Sequence, residues 1–289
     1  MGLHISKRAR RLLVGGVLVT AMLFLSGCDK ESTGQIKRFA MPLPASKEAW
    51  DTYHLWHWAW VAALLTGVLV WGLMFYAWVA FRRRSADEIP VQTRYNLPIE
   101  IFYTIAPIIM VIVFFFFTVQ TQEKVDHDVK NPDHTVTVVG EQWSWTFNYM
   151  HESASGGKTV FDAGTTAHRP TLWLVKGQTV EFHLYSPDVI HSFWVPNFLF
   201  KKDVIPGRDN TFAITPTRTG EFKGRCAELC GVYHSRMLFN VKVVDESTFD
   251  NHMRQLEKAG DVGLAIGGSH ANTVAGLGQT DQAYRGGVK

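Results

Sequence analysis

The sequence predicts a two-helix transmembrane hairpin followed by an all-β sandwich. Nearly all long apolar runs of the 289-residue chain lie before position 120, and two of them are long enough to cross a bilayer. After residue 120, short runs rich in β-branched and aromatic residues alternate with turn residues, and no helical blocks lie between them. The N-terminus carries a basic stretch followed by a short apolar one, which indicates export from the cytoplasm.

Residues 1–27 are predicted to be a signal peptide of the lipoprotein type. Basic residues at positions 7, 8, 10 and 11 precede an apolar stretch, Leu12–Leu25, that is too short to span a bilayer comfortably. The following Leu25-Ser26-Gly27-Cys28 resembles a bacterial lipobox, in which Cys28 is lipidated and becomes the mature N-terminus. The alternative is an ordinary signal peptide with a chance cysteine. In either case, residues 28–53 are expected to form an extracytoplasmic segment.

Residues 54–120 are predicted to form the transmembrane hairpin. Leu55–Phe81 contains no Asp, Glu, Lys or Arg, and Leu97–Val119 contains a single charged residue, Glu100. Three residues at the start of the first span suit an interfacial aromatic belt: Trp56, Trp58 and Trp60. The connection contains Arg82–Arg84, which the positive-inside rule places in the cytoplasm. Both ends of the hairpin, and everything after residue 120, are therefore expected outside the cytoplasm.

Residues 121–246 are predicted to form the β domain, as an antiparallel sandwich or a small barrel. The predicted strands are Thr135–Val139, Trp143–Tyr149, Thr171–Val175, Thr179–Tyr185, Thr211–Thr215 and Met237–Val244. Residues 247–259 then indicate a short amphipathic helix, with Ser247 and Asp250 at the spacing of a capping box. Residues 260–289 are rich in Gly, Ala, Ser, Thr and Asn, so we expect a disordered tail.

Composition excludes several functions. A net charge of +3 without a dense Lys/Arg block argues against nucleic acid as a partner. The three cysteines, Cys28, Cys226 and Cys230, are too few and odd in number for a disulfide scaffold. The chain contains no Cys-x-x-Cys-His motif, so no c-type haem is attached to it and an electron donor would be another polypeptide.

One segment concentrates metal ligands: Cys226-Ala-Glu228-Leu-Cys230-Gly-Val-Tyr-His234-Ser-Arg-Met237. A second histidine, His191, lies upstream. Thiolate, imidazole and thioether ligands together favour copper. Two thiolates can bridge two copper ions, which leaves one histidine for each ion and weak axial contacts from Met237 and a backbone carbonyl. The alternatives are a disulfide in an oxidising compartment and a zinc site that makes poor use of the thioether.

Over residues 45–250 the chain resembles subunit II of the haem–copper cytochrome c oxidases. The family pattern His…Cys-x-Glu-x-Cys-x3-His-x2-Met is matched without a gap by His191, Cys226, Glu228, Cys230, His234 and Met237. This resemblance implies a cupredoxin-like Greek-key sandwich that holds a dinuclear copper A centre. The ligands would be those residues, with Glu228 contributing its backbone carbonyl. The Glu228 side chain would help to hold a magnesium ion shared with the catalytic subunit.

The resemblance also implies roles for single residues outside the ligand set. Trp143 would be the surface residue through which electrons enter, although a core or edge-strand aromatic is the alternative, and Trp145 would belong to the core. Glu100 would lie at the mouth of a proton-uptake path, unless it is an ordinary interfacial glutamate. Asp188 would either help to dock a basic cytochrome or cap a turn after Pro187.

The implied activity belongs to a complex, a proton-translocating cytochrome c:oxygen oxidoreductase in a bacterial cell membrane. This chain would accept electrons from cytochrome c, or from a membrane-bound cytochrome c domain, and pass them to haem in the catalytic subunit I. Oxygen would be reduced to water there, with proton pumping. Other oxidase subunits and the lipid bilayer would be further partners.

Three other functions are compatible with parts of the pattern. A quinol oxidase subunit would keep the fold but lack the copper ligands, so the intact set argues against it. A copper A subunit of a nitric oxide-reducing haem–copper enzyme remains the alternative. A copper chaperone or a structural lipoprotein would have no electron-transfer role, and a chaperone would hold colourless Cu(I).

Overall fold

The computed structural model describes residues 30–85 and 87–267. The predicted signal peptide and the lipidation predicted at Cys28 therefore lie outside the described residues. The chain divides into two compact units, Met1–Leu43 and Pro44–Lys289. In the first unit, helix α1 (Lys30–Lys37) is followed by a turn in which the Arg38 side chain donates a hydrogen bond to the Met41 carbonyl at 3.0 Å.

Two long apolar helices open the second unit, α2 (Lys47–Ala80) and α3 (Leu97–Val125). Their most apolar windows have mean hydropathies of 1.9 and 2.5, and none of the residues in these windows is buried within the chain. Both helices are thus long and apolar enough to cross a membrane, as predicted. Each begins at a side-chain cap, since Ser46 accepts a hydrogen bond from the Ala49 amide and Asn96 accepts one from the Ile99 amide.

A β-sandwich follows the helices and confirms the predicted fold class. The strands are β1 (His134–Glu141), β2 (Ser144–Glu152), β3 (Lys158–Ala163), β4 (Thr171–Val175), β5 (Val180–Tyr185), β6 (His191–Val195), β7 (Phe200–Val204), β8 (Asn210–Ile214), β9 (Gly220–Cys226) and β10 (Leu238–Val244). One sheet has the order β3-β2-β1-β5-β8, and the other has the order β4-β10-β9-β6-β7.

The sheets are mixed, whereas the sequence favoured antiparallel ones. Strand β1 pairs with β5 in parallel, and so does β10 with β4. The chain leaves the first sheet after β3, forms β4 in the second sheet and returns at β5. Such a crossover allows parallel pairing, which local turn signals do not reveal.

Four strands are not predicted from the sequence: β3, β6, β7 and β9. Strand β7 has the sequence Phe-Lys-Lys-Asp-Val and lies at a sheet edge, where charged side chains are tolerated. Strand β9 contains Gly220 and Gly224, which weaken its strand signal. A Cβ on Gly224 would lie 2.1 Å from the Phe239 ring, so the close approach of that ring requires glycine here.

Buried aromatic side chains from both sheets fill the space between them. Phe193 packs on Phe239 with ring centroids 5.0 Å apart, and Phe182 stacks on Phe212 at 4.9 Å. Trp145 is fully buried, as expected, and its indole donates to the Met237 carbonyl at 3.3 Å. The core therefore extends without interruption to the loop that carries the predicted metal ligands.

The last helix, α4 (Glu246–Ala259), packs on the sandwich through Phe249, Met253 and Leu256. The predicted cap at Ser247 is wrong, because Asp245 is the N-cap and accepts a hydrogen bond from the Thr248 amide at 2.9 Å. Hydrogen bonds from Ser247 and Thr248 lower the pKa of Asp245 to about 2.

The tail predicted to be disordered begins with ordered residues. Val262 bridges to Val160 on the edge strand β3, and Asn148 exchanges two hydrogen bonds with the Ala265 backbone at 2.7 and 2.9 Å. The prediction of disorder from residue 260 is therefore wrong for these residues, and residues 268–289 lie outside the described part of the chain. The glycine-rich composition gives no signal that this segment is ordered, because its contacts are made largely by its backbone groups.

Candidate metal centre

Two neighbouring strands and one loop bring the predicted ligands together. His191 is the first residue of β6 and Cys226 is the last residue of β9. These strands pair, with Phe193 opposite Cys226, so both ligands lie at one end of the second sheet. Cys230, His234 and Met237 follow in the loop between β9 and β10.

The ligand atoms form a chain of short contacts. Cys226 Sγ lies 3.9 Å from His191 Nδ1 and 3.9 Å from Cys230 Sγ. Cys230 Sγ lies 3.5 Å from His234 Nδ1 and 3.7 Å from Met237 Sδ. The Glu228 carbonyl oxygen lies 3.2 Å from Cys226 Sγ. The structure thus gathers all six predicted ligands around the two sulfur atoms.

The two cysteines are free and buried. Their sulfur atoms are 3.9 Å apart, well beyond the ~2.05 Å of a disulfide. Ligand atoms of His191, Cys226 and Cys230 lie within 4.8 Å of one another, close enough to hold a metal ion. Two sulfurs and two imidazole nitrogens with a thioether form a soft donor set, which fits copper better than a hard cation.

The pKa values of the two thiols are shifted in opposite directions. The hydrogen bond from Cys230 and a weaker one from His191 lower the pKa of Cys226 to about 3, against the effect of burial. The hydrogen bond between the cysteines, together with burial, raises the pKa of Cys230 above its usual range. These opposite shifts favour the thiolate at Cys226 over Cys230, and the thiolate is the form that binds metal.

Asp188 orients His191. Its Oδ1 atom lies 2.8 Å from His191 Nε2, and its side chain is only 5% exposed. Burial alone would lower the pKa of His191, but the hydrogen bonds to Asp188 and Cys226 raise it overall. Burial would raise the pKa of Asp188, but the bonds from His191 and from the Gln142 amide lower it. Neither role that the sequence offered for Asp188 describes this contact, which the Asp-x-x-His spacing could have indicated.

Gln142 and Trp143 contact the backbone of the second cysteine. Gln142 Nε2 donates to the Cys230 carbonyl at 2.7 Å, and Trp143 Nε1 donates to the same oxygen at 3.2 Å. The Trp143 ring is half-buried and meets Tyr233 edge to face, with ring centroids 5.1 Å apart. The sequence indicates no role for Gln142, since nothing local links this residue to a loop almost 90 residues away.

Two predicted residues have different surroundings. Glu228 is exposed, whereas its carbonyl oxygen lies 3.2 Å from Cys226 Sγ. Glu100 lies in the first turn of α3, where its carboxylate accepts a hydrogen bond from the Asn96 amide at 2.9 Å. Glu100 is therefore part of a helix cap and is not brought to the metal ligands.

Comparisons with known proteins agree with this site. The sequence model of the family described as "Cytochrome C oxidase subunit II, periplasmic domain" matches residues 134–244, which include every strand named above and all six predicted ligands. The chain is 46% identical to "Probable cytochrome c oxidase subunit 2" of Streptomyces avermitilis, over 91% of this chain and 90% of that protein.

Other similarities are more distant. "Cytochrome c oxidase subunit 2" of Corynebacterium diphtheriae is 36% identical over 85% of this chain and 84% of that protein. Among solved structures, the periplasmic domain of subunit II of cytochrome oxidase from Bradyrhizobium japonicum is 28% identical, with a TM-score of 0.40. That comparison covers 46% of this chain and 99% of the solved domain.

Proposed function

The chain belongs to the cytochrome c oxidase subunit II family, and from this premise we propose that it is the electron-entry subunit of a bacterial respiratory oxidase with a dinuclear copper A centre. The observation that carries the proposal is the convergence of both cysteine sulfurs with His191 Nδ1, His234 Nδ1 and Met237 Sδ. A family member that did not bind copper would not need these donor atoms to lie close together.

The residues of the site would have different roles in copper binding. Copper would be held by the thiolates of Cys226 and Cys230, by the imidazoles of His191 and His234, and more weakly by Met237 and the Glu228 carbonyl. When bound, the copper pair supplies a one-electron carrier whose charge is shared between two ions. Asp188 holds the His191 ring with Nδ1 toward the sulfurs, and Trp145 closes the site against the core.

Trp143 is our candidate for electron entry. Its half-buried ring is accessible at the surface, and its indole nitrogen donates to the carbonyl of the Cys230 ligand. This contact links a surface aromatic directly to a cysteine ligand, which supports a short path for the electron. A cytochrome c, either free or as a membrane-bound domain, would dock over this ring.

The remaining predicted roles stay proposals. The exposed Glu228 carboxylate would help to hold magnesium together with the catalytic subunit. Glu100 would lie near the start of a proton path, in addition to capping α3. The oxygen chemistry and the proton pumping would take place in the haem-bearing partner subunit.

The hairpin would anchor the sandwich on the extracytoplasmic side of the cell membrane. Arg82–Arg84 lie between α2 and α3, and the positive-inside rule assigns this connection to the cytoplasm. The nitric oxide-reducing alternative is not favoured, because the relatives described above are cytochrome c oxidase subunits.

The test uses an oxidase purified with this chain and supplied with reduced cytochrome c. In Cys230→Ser we expect cytochrome c oxidation to be lost. Oxygen consumption with a small donor that reduces the haem directly should continue, because the catalytic subunit is unchanged. If Cys230→Ser oxidised cytochrome c as fast as the parent enzyme, the proposed entry site would be wrong.

A further inference from the structure

We infer that residues 261–267, which we name the C-terminal strap, position Trp143 for electron entry. This inference rests on the proposed entry through Trp143 and adds a second part of the chain on which that entry depends. The strap follows helix α4 and crosses the first sheet from its edge strand β3, over β2, to the end of β1. Trp143 lies in the turn directly after β1.

The strap begins as an added strand at the β3 edge of the sheet. The Phe161 amide of β3 donates to the Asp261 carbonyl at 3.1 Å, and the Gly263 amide donates to the Thr159 carbonyl at 2.9 Å. An edge strand has backbone groups that are not paired within its sheet, and here the strap pairs with them. This pairing fixes the register of the strap against β3.

A buried amide side chain on β2 then holds the strap. Asn148 Nδ2 donates to the Ala265 carbonyl at 2.9 Å, and Asn148 Oδ1 accepts from the Ala265 amide at 2.7 Å. Asn148 is fully buried, although its neighbours Phe147 and Tyr149 occupy the core and alternation places it on the outer face. Loss of these bonds would leave a buried amide unsatisfied, which is costly, so the strap is firmly held here.

The strap ends between the two segments that support Trp143. A Cβ on Gly267 would lie 2.5 Å from Glu141 Oε2 and 3.2 Å from Pro187 Cγ. Glu141 is the last residue of β1, two positions before Trp143, and Pro187 directly precedes Asp188. Gly267 also has a φ of +77°, so both its backbone conformation and its close packing favour glycine.

The two segments at the end of the strap are joined to each other by one hydrogen bond, from the Gln142 amide to Asp188 Oδ2 at 2.7 Å. Glu141 Oε2 is buried and has no hydrogen-bond partner among the described residues, and burial, with the charge of Asp188, raises the pKa of this carboxyl. Packing of the strap therefore restrains the Glu141 side chain. Without the strap, we expect the Trp143 ring to be held less firmly against the Cys230 carbonyl.

Two truncations separate the strap from the residues that follow it. One chain ends at Gly260, which keeps helix α4 and its cap but lacks the strap, and the other ends at Gly267 and keeps the strap. Each is purified as the assembled oxidase, and its reduction by cytochrome c is followed by stopped flow. We expect the shorter chain to react about tenfold more slowly, because small displacements of a reacting pair are costly, and the longer one to react at the parent rate.

Two further readouts distinguish positioning from a general loss of structure. The copper signal in electron paramagnetic resonance should be the same in both truncations and the parent. Oxygen consumption with a small donor that reduces the haem directly should also be the same. Amide hydrogen exchange at residues 142–144, which reports local opening, should rise only in the chain that ends at Gly260.

A point variant tests the end of the strap without shortening the chain. Gly267→Ala places a methyl group against Glu141 and Pro187. Gly263→Ala is the matched control, because Gly263 also has a positive φ but its added methyl group would meet no atom within 4 Å. We expect Gly267→Ala to slow reduction by cytochrome c about threefold or more, and Gly263→Ala to leave the rate unchanged.

The outcomes separate this inference from the proposed entry residue. If Trp143→Phe is slow while the chain that ends at Gly260 reacts at the parent rate, the strap does not position Trp143 and the inference is overturned. Loss of the copper signal in that chain, together with a parent-like rate in Gly267→Ala, would also overturn it, because the strap would then only support the fold. A parent-like rate in Trp143→Phe would contradict the entry residue itself, and the inference would fail with it.

Discussion

Asp188 Oδ1 lies 2.8 Å from His191 Nε2, and this bond leaves His191 Nδ1 facing Cys226 Sγ at 3.9 Å. The histidine ring is fully buried and the aspartate side chain is nearly so. Because the second carboxylate oxygen accepts the Gln142 amide at 2.7 Å, the aspartate is itself fixed by the backbone beside Trp143. One carboxylate thus connects the histidine ligand to the strand end that carries the proposed entry residue.

Replacement of this carboxylate should weaken copper binding while the fold is kept. In Asp188→Asn, we expect copper affinity to fall roughly 10- to 100-fold, because the partner that orients a ligating histidine is weakened. Competition with a copper chelator measures the affinity. Asp203→Asn is the control, since Asp203 is exposed on the neighbouring strand β7. Equal affinities in the two variants would show that Asp188 does not position His191.

Loss of the Trp143 indole should slow electron entry without loss of copper. In Trp143→Phe, the ring is kept but the hydrogen bond to the Cys230 carbonyl is removed. We expect cytochrome c oxidation to slow about tenfold or more, because small changes in the geometry of a reacting pair are costly. Stopped-flow reduction by cytochrome c measures the rate. Trp173→Phe, which changes a residue stacked on His252 in α4, should react at the parent rate. Unchanged kinetics in Trp143→Phe would place electron entry elsewhere.

A methyl group at Gly224 should destabilise the sandwich. The added Cβ would lie 2.1 Å from the Phe239 ring, which packs on Phe193 and Trp145. Because a well-packed core cannot absorb the overlap, we expect Gly224→Ala to lower the free energy of unfolding by about 1–3 kcal/mol or more. Chemical denaturation followed by near-ultraviolet circular dichroism measures this. Gly72→Ala has open space around the new methyl group and should leave the sandwich unchanged. Parent-like stability of Gly224→Ala would mean that this ring does not approach strand β9 as closely as described.

His134 should make stability depend on pH in one direction. Burial lowers its pKa, but the hydrogen bond and the charge of Glu152, with Gln178, raise it overall above 6.5. A raised pKa means that the folded state binds the proton more tightly than the unfolded state. The stabilisation is therefore complete below pH 6.5 and is lost as the pH rises through the folded-state pKa. His134→Gln should remove this dependence, as measured by unfolding from pH 5 to 9 (about the range where histidine titrates).

His252 should make stability depend on pH in the opposite direction, so it serves as a control for His134. Burial and the charge of Lys242 lower its pKa to about 4, so protonation favours the unfolded state. Its contribution to stability is present above pH 6.5 and is lost as the pH falls toward 4. His252→Gln should flatten the acidic side of the stability profile and leave the neutral side alone. If both histidine variants changed the same side, the environments described for these residues would be wrong.

The clustering of most predicted ligands could be foreseen from the sequence because they are neighbours in the chain. Cys226, Cys230, His234 and Met237 lie within one loop, so their spacing alone brings them near one another. The contacts of Gln142 and Trp143 with the Cys230 carbonyl join segments far apart in the chain, and only the fold reveals them. The sandwich class followed from turn residues and β-branched runs, whereas the parallel pairs depend on a crossover between sheets.

The other elements that the sequence does not predict were missed for similar physical reasons. Strand β7 carries charged residues because it lies at an edge. The ordered start of the tail contributes backbone groups to its hydrogen bonds, such as the Ala265 amide that donates to Asn148 Oδ1, so its own side chains give no signal. The Asp245 cap was missed because several residues in this segment are good caps, and only the geometry selects one.

Copper content combined with electron paramagnetic resonance of the oxidase purified with this chain tests the dinuclear centre most directly. We expect a pair of coppers per chain at this site and a hyperfine pattern from an electron shared equally between two copper nuclei. Cys226→Ser should abolish that pattern, and Ser235→Ala, a change at an exposed position of the same loop, should preserve it. The pattern of a single copper, or a Cys226–Cys230 disulfide that takes up no copper after reduction, would contradict the proposed centre.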